Sequence, residues 1–178
     1  EQVLHQFVDL VIKEYGKIDF LINNACINLG GIHTPCSYED FNLALKIGVT
    51  APYMLAQLFL PYFNEGASIV NISSTRAFMS QENRESYAAA KGGITALTHS
   101  LAISLSGRVR VNSIAPGWID TGKYHLESYV PQYTEADMNA INAKYLFAEN
   151  ITIDGGMSKL MIYSGDNGWE YHPEVPIC

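Results

Sequence analysis

The chain has 178 residues and a formal net charge of −7, and 48% of its residues are hydrophobic. This length suggests a single domain with a sizeable core, and the composition is that of a globular protein rather than a disordered one. There is no Lys/Arg run or basic stripe, which argues against nucleic acid as a partner. The longest apolar runs are far short of a membrane span, so we expect no membrane partner either.

The number and spacing of the cysteines and histidines argue against disulfide bonds and a metal site. Three cysteines (Cys26, Cys36 and Cys178) form no C-x-x-C pair. Their odd number and irregular spacing predict a reducing, cytoplasmic environment. The five histidines are scattered and form no H-E-x-x-H, so we expect no metal site.

The sequence opens inside an amphipathic helix. EQVLHQFVDLVIKEYG places apolar residues at helical spacing and ends at Gly16. Neither a cap nor a strand precedes this helix, so we expect the sequence to be a fragment or the ordered part of a longer protein.

The remaining segments alternate between strand and helix patterns. The long helix begins with a capping box, Ser37-x-x-Asp40, and should bend at Gly48 and Pro52. In chain order the predicted elements are a strand at 18–22, a helix at 37–63, a strand at 67–74, a helix at 86–106, a strand at 109–115, a helix after Thr134, a strand at 149–156 and an irregular tail at 158–178. This order predicts one α/β domain, with a parallel sheet and helices on both faces.

Polar residues follow three of the predicted strands: Asn23-Asn24, Ser73-Ser74 and the Pro116-Gly117 turn. The carboxyl ends of parallel strands meet at one edge of the sheet, where such folds bind their ligands. By strand alternation Ser73 and Ser74 point to opposite faces, and Ser73 is interpreted as structural.

Tyr87 and Lys91 lie four residues apart in ESYAAAKGG, on one face of the predicted helix. An ammonium beside a phenol lowers the tyrosine pKa from its ordinary value of about 10, which suits a general acid or base. The composition alone yields about 0.4 such pairs by chance, so the pair taken by itself is equally compatible with a solvated helix face.

In this order the motifs resemble the short-chain dehydrogenase/reductase family. NNAC at 23–26 resembles the family's NNAG, Ser74 lies thirteen residues before Tyr87, and YAAAK matches its Y-x3-K. NSIAPGWIDT resembles its N-x-x-x-PG-x-x-x-T turn, and ENITIDGG its last strand. The resemblance covers roughly residues 1–157 and implies a Rossmann-like doubly wound fold.

The resemblance also implies an activity. The protein would transfer hydride between a nicotinamide cofactor, NAD or NADP, and a secondary alcohol or ketone. Tyr87 would be the catalytic acid or base, Lys91 would lower its pKa and bind the nicotinamide ribose, and Ser74 would position the substrate carbonyl.

Further cofactor contacts are implied on either side of this centre. Asn23 and Ala25 would line the ribose region on the adenosine side. Pro116, the Ile119 backbone and Thr121 would hold the carboxamide end, and 118–137 would form the substrate lid. Two of these have simpler alternatives, since Asn23 with Asn24 could satisfy backbone groups at a strand end and Thr121 could be a turn residue.

Other residues keep two interpretations. Trp118, Tyr124 and His125 either line a substrate pocket or lie on the surface. The glycines at 92–93 favour close helix packing over phosphate binding.

The sequence departs from the family in several places. The T-G-x3-G-x-G loop and two upstream strands are missing, which would leave the strand at 18–22 as an exposed apolar edge. Gly48 stands where the family has an asparagine, so we expect a weakened proton relay. The segment 137–151 is short, and Cys26 stands in place of the glycine of NNAG.

The family resemblance also implies partners. It implies a homodimer or homotetramer that associates through the helices at 37–63 and 86–106 and the last strand. A catalytically silent homologue that serves as an oligomer partner is the alternative to an active enzyme.

Overall fold

The computed structural model describes residues 1–117, 119, 128, 130 and 134–136. Its elements are α1 (Gln2–Tyr15), β1 (Ile18–Asn23), α2 (Tyr38–Leu45), a π-helical turn (Lys46–Thr50), α3 (Ala51–Phe59), a 3-10 turn (Leu60–Tyr62), β2 (Phe63–Ile72), a 3-10 turn (Thr75–Ala77), α4 (Glu85–Ser104) and β3 (Arg110–Ile114). The predicted helix after Thr134, the strand at 149–156 and the tail at 158–178 lie largely or wholly outside the described residues.

The three strands form a parallel sheet in the order β1-β2-β3. Leu21, Ile69 and Val111 occupy one row across it, and all three are buried. Residues of α1, α3 and α4, among them Val8, Phe59 and Ala102, join them in one core. The strands and helices thus alternate along the chain as the sequence predicts, and they share this core.

The long helix is interrupted as predicted near Gly48. Its start is capped by Ser37, whose Oγ accepts a hydrogen bond from the Asp40 amide at 3.0 Å. The helix then passes through the π-helical turn that contains Gly48 and continues as α3, with Pro52 in its first turn. Proline is tolerated there because it lacks only a backbone N–H that would have no partner within α3.

This helical stretch, Tyr38–Tyr62, is by length and composition long and apolar enough to cross a membrane, with a mean hydropathy of 1.5 over its 18-residue window. The expectation that no apolar segment approaches a span is therefore wrong on composition. The stretch nevertheless buries Ala44, Ala56 and Phe59 inside the fold, and core helices of soluble proteins meet the same criterion.

In the described part of the chain, β1 pairs with β2 alone and its outer edge is open. Phe20 and Ile22, on the sheet face opposite Leu21, are 68% and 65% exposed. The exposed apolar edge expected from the sequence is therefore present in these residues.

Candidate active site

The carboxyl ends of the three strands open into one cavity of about 730 Å³. Its walls come from the loops after the strands and from the start of α4: Asn24, Cys26 and Asn28 after β1, Ile72 to Arg76 with Ser80, Gln81 and Arg84 around the end of β2, Tyr87 and Lys91 on α4, and Pro116, Gly117 and Ile119 after β3. This size is within the range of small-molecule sites.

Tyr87 and Lys91 share this cavity, one helical turn apart on α4. Lys91 is 3% exposed, and its Nζ donates a 2.6 Å hydrogen bond to the Ile72 carbonyl. The same Nζ lies 5.5 Å from the centre of the Tyr87 ring, within the range of a cation–π contact. An ammonium has three N–H donors, and the hydrogen bond found among the described residues uses one.

The two serines after β2 are directed differently, as strand alternation predicts. The Ser73 hydroxyl donates to the Lys91 carbonyl at 3.1 Å and lies 2.6 Å from the Thr95 hydroxyl, which ties the end of β2 to α4. Ser74 accepts a hydrogen bond at its Oγ from the Arg76 amide at 3.2 Å. Ser73 thus has the structural contacts expected of it, and Ser74 lines the same cavity.

The turn after β3 is joined to the turn after β2. The Ser73 amide donates to the Ile114 carbonyl at 2.7 Å, and the Thr75 amide to the Pro116 carbonyl at 3.1 Å. These bonds continue the parallel pairing past the strands and place Pro116 in the cavity wall. Ile119 also lines it.

Thr121, Trp118, Tyr124 and His125 lie outside the described residues, as does most of the predicted lid at 118–137.

Asn23 is directed into the protein rather than into the cavity. Its Nδ2 donates to Asn71 Oδ1 at 2.8 Å, and Asn71 Nδ2 donates to Thr98 Oγ1 at 2.9 Å. Asn71 is fully buried and Asn23 is 9% exposed. Ala25 is exposed and is not among the described lining residues, whereas Asn24 and Asn28 both line the cavity.

A loop after β1 is clamped to the start of α4, close to Tyr87. Asn83 Oδ1 accepts from the amides of His33 and Thr34, each at 2.9 Å. Ser86, next to Tyr87, donates to the Gly30 carbonyl at 2.8 Å. We call the contacts of Asn83 and Ser86 with residues 29–34 the loop clamp, and it fixes where the helix carrying Tyr87 begins.

Gly48 allows α4 to approach the long helix closely. A Cβ added to Gly48 would lie 2.8 Å from the Ala90 Cβ, and one added to Gly93 would lie 2.8 Å from Val49 Cγ2. The spacing of the helices therefore leaves no room for the family's asparagine at position 48. The packing role predicted for the glycine pair is confirmed at Gly93, whereas Gly92 has open space beside it.

Sequence reasoning missed two groups of residues. The first is the pair of arginines that line the cavity, Arg76 and Arg84. Both flank a loop at the carboxyl end of a predicted strand in an otherwise acidic chain, and that position is the signal that could have indicated them. The second is the loop clamp, which no local pattern indicates.

Comparisons with known proteins agree with this geometry. A family model described as enoyl-(acyl carrier protein) reductase matches residues 1–154. An uncharacterized oxidoreductase of Thermotoga maritima is 31% identical, over 92% of this chain and 74% of its own length. The chain belongs to the short-chain dehydrogenase/reductase family. Its relatives are named as oxidoreductases and dehydrogenases, so membership places it among enzymes.

Solved structures of the same fold confirm the Rossmann-like α/β class. An apo SCOR enzyme from Clostridium thermocellum has a TM-score of 0.66 and 39% identity, over 95% of this chain and 74% of its own. A blue fluorescent protein from a metagenomic library, solved with NADPH, has a TM-score of 0.63 and 32% identity, over 66% of this chain. This chain spans 49% of that structure, and a similar share of several curated relatives.

Proposed function

We propose that this chain is an NAD(P)-dependent oxidoreductase that interconverts a secondary alcohol and its ketone. The observation that carries the proposal is the meeting of Ser74, Tyr87 and Lys91 in one cavity at the carboxyl end of a parallel sheet. A phenol, an ammonium and a hydroxyl around one small-molecule cavity suit proton transfer to or from a substrate oxygen.

In this proposal each of the three side chains has a separate task. Tyr87 exchanges a proton with the substrate oxygen, and the Ser74 hydroxyl hydrogen-bonds that oxygen. The Lys91 ammonium, 5.5 Å from the centre of the Tyr87 ring, holds a positive charge beside the group that exchanges the proton. Because Lys91 is anchored to the Ile72 carbonyl and held through Ser73, its charge stays in place beside the ring.

The residues present fit the nicotinamide end of a cofactor, which supplies or accepts the hydride when bound. Lys91 keeps two N–H donors for ribose hydroxyls, and Asn24, which also lines the cavity, adds an amide. Pro116 and Ile119 line the side where a carboxamide would be held. The NADPH in the related fluorescent protein supports a nicotinamide cofactor without choosing between NAD and NADP.

The proposal is tested with Tyr87→Phe in the purified protein. We expect turnover of secondary alcohols to fall at least 100-fold, in line with the loss of a general acid or base, while the cofactor dissociation constant changes little. Tyr15→Phe is the matched control, because Tyr15 is 69% exposed at the end of α1 and is not among the residues that line the cavity. Ordinary activity in Tyr87→Phe would exclude the proposed role. A protein that binds no cofactor and turns over no alcohol would instead be the silent homologue.

We further propose a cytoplasmic homodimer or homotetramer that associates through its long helices. Leu43 and Tyr53 on this surface are 42% and 45% exposed, and the described cysteines, Cys26 and Cys36, are free thiols. Light scattering of the purified protein measures the assembly, and a monomer at working concentration would refute it. Cell fractionation tests the location, and recovery outside the cytoplasmic fraction would refute that part.

A further inference from the structure

Two arginines line the proposed catalytic cavity without a described partner. Arg76 comes two residues after Ser74, and Arg84 three residues before Tyr87, so they flank the loop that joins the catalytic residues. The other two arginines are anchored: Arg108 donates to the Leu60 carbonyl at 2.8 Å and Arg110 to that of Gly66 at 3.4 Å. No such side-chain bond to a described residue is found for Arg76 or Arg84.

The carboxylates nearest in sequence to Arg84 are occupied elsewhere. Glu82 Oε1 lies 3.5 Å from His33 Nε2, and Glu85 Oε2 accepts from the Ile32 amide at 3.3 Å. Both contacts direct the acidic groups toward the loop after β1. Among the described lining residues there is no Asp or Glu. With Lys91, the described walls therefore carry three cations in a chain whose net charge is −7.

We infer, on the basis of the proposed function, that the substrate carries an anionic oxygen group, a carboxylate or a phosphate, bound by Arg76 and Arg84. Arginine presents a planar fork of N–H donors that matches both groups. Lys91 is bonded to the Ile72 carbonyl and lies beside the Tyr87 ring, and the proposed function assigns its remaining donors to the cofactor ribose, so the two arginines are the cations left for the substrate. Arg76 is half-buried and Arg84 exposed, which places the anion toward the mouth of the cavity and the reacting carbon nearer Ser74.

The inference is tested with pairs of ketones that differ in charge. The probes are 4-oxopentanoate with its methyl ester, and dihydroxyacetone phosphate with dihydroxyacetone. Their dissociation constants are measured by calorimetry on the protein saturated with nicotinamide cofactor. We expect the anion of at least one pair to bind about tenfold more tightly than its neutral partner, and the pair that shows this distinguishes carboxylate from phosphate.

Arg76→Met and Arg84→Met should each remove most of that preference, whereas Arg108→Met, the matched control outside the cavity, should keep it. Equal binding of anion and neutral partner in both pairs would overturn the inference. So would arginine variants that weaken cofactor binding and leave ketone binding unchanged, because the arginines would then serve cofactor phosphates.

Turnover of the same probes separates this inference from the proposed function. Equal turnover of charged and neutral ketones would overturn the inference and leave the oxidoreductase intact. An arginine-dependent preference for anions in a protein that turns over none of the ketones would keep the inference and refute the proposed reaction.

Discussion

Three glycines in the long helix and α4, two of them at the contact between these helices, should not respond alike to substitution by alanine. Gly92 has open space around its Cβ position, whereas Gly48 and Gly93 have atoms 2.8 Å away. Replacing a helical glycine with alanine gains about 1 kcal/mol of helix propensity where nothing obstructs the methyl group. Gly92→Ala should therefore be stabilising.

At Gly48 the new methyl group meets Ala90 Cβ, which is attached directly to the backbone of α4 and cannot rotate away. Overpacking of this kind costs about 1–3 kcal/mol, and a propensity gain of at most about 1 kcal/mol offsets part of it. We expect Gly48→Ala to lose about 1–2 kcal/mol of unfolding free energy. Gly93→Ala should behave similarly, because Val49 is β-branched and has little rotameric freedom in a helix.

The assay is urea unfolding followed by circular dichroism, with thermal unfolding as a second measurement. For a chain of this size each kcal/mol corresponds to about 2–4 °C in Tm. The double variant Gly48→Ala/Ala90→Gly moves the methyl group across the contact. It should be more stable than the sum of the single effects by about 1 kcal/mol or more, the coupling expected of residues in contact. Additive single effects, or a Gly48→Ala protein as stable as Gly92→Ala, would refute the tight helix contact.

Two further predictions concern hydrogen bonds. Asn83 has a positive φ of 58°, and its side chain accepts hydrogen bonds from two amides of the loop clamp. Asn83→Gly removes only these bonds, whereas Asn83→Ala also adds about 1 kcal/mol of strain in the left-handed backbone conformation. Chemical unfolding should therefore find the alanine variant less stable than the glycine variant, and equal stabilities would contradict this. Asn71→Leu leaves the buried Asn23 amide without its partner and should lower the unfolding free energy by about 1–3 kcal/mol. The double variant Asn23→Leu/Asn71→Leu should recover most of this loss. A double variant less stable than the single one would be evidence against the buried amide pair.

Local patterns were enough to predict the described framework. The helical spacing of α1, the Ser37 cap and the apolar run of β1 depend on neighbours in sequence, and the structure has each of them. The meeting of Tyr87 and Lys91 at one cavity follows from the geometry of a helix, since residues four apart share a face.

The contacts missed by sequence reasoning depend on tertiary structure. The bond between the His33 amide and Asn83 joins residues 50 positions apart, and no periodicity indicates it. The inward direction of the Asn23 side chain could have been predicted, because alternation along β1 places it on the same face as the buried Leu21. The family motif instead predicts a ribose contact for Asn23, and no local pattern indicates its buried partner Asn71.

The buried amide pair has a consequence for how the chain assembles. Asn23 and Asn71 are direct partners in the parallel pairing of β1 with β2. A slip of one residue would turn Asn23 to the opposite face, separate the two amides and leave the buried Asn71 Oδ1 without its donor. Apolar side chains of similar size would tolerate neighbouring alignments more readily. The pair therefore disfavours misaligned pairing of β1 with β2, and so favours the register in which the carboxyl ends of the strands meet at the cavity.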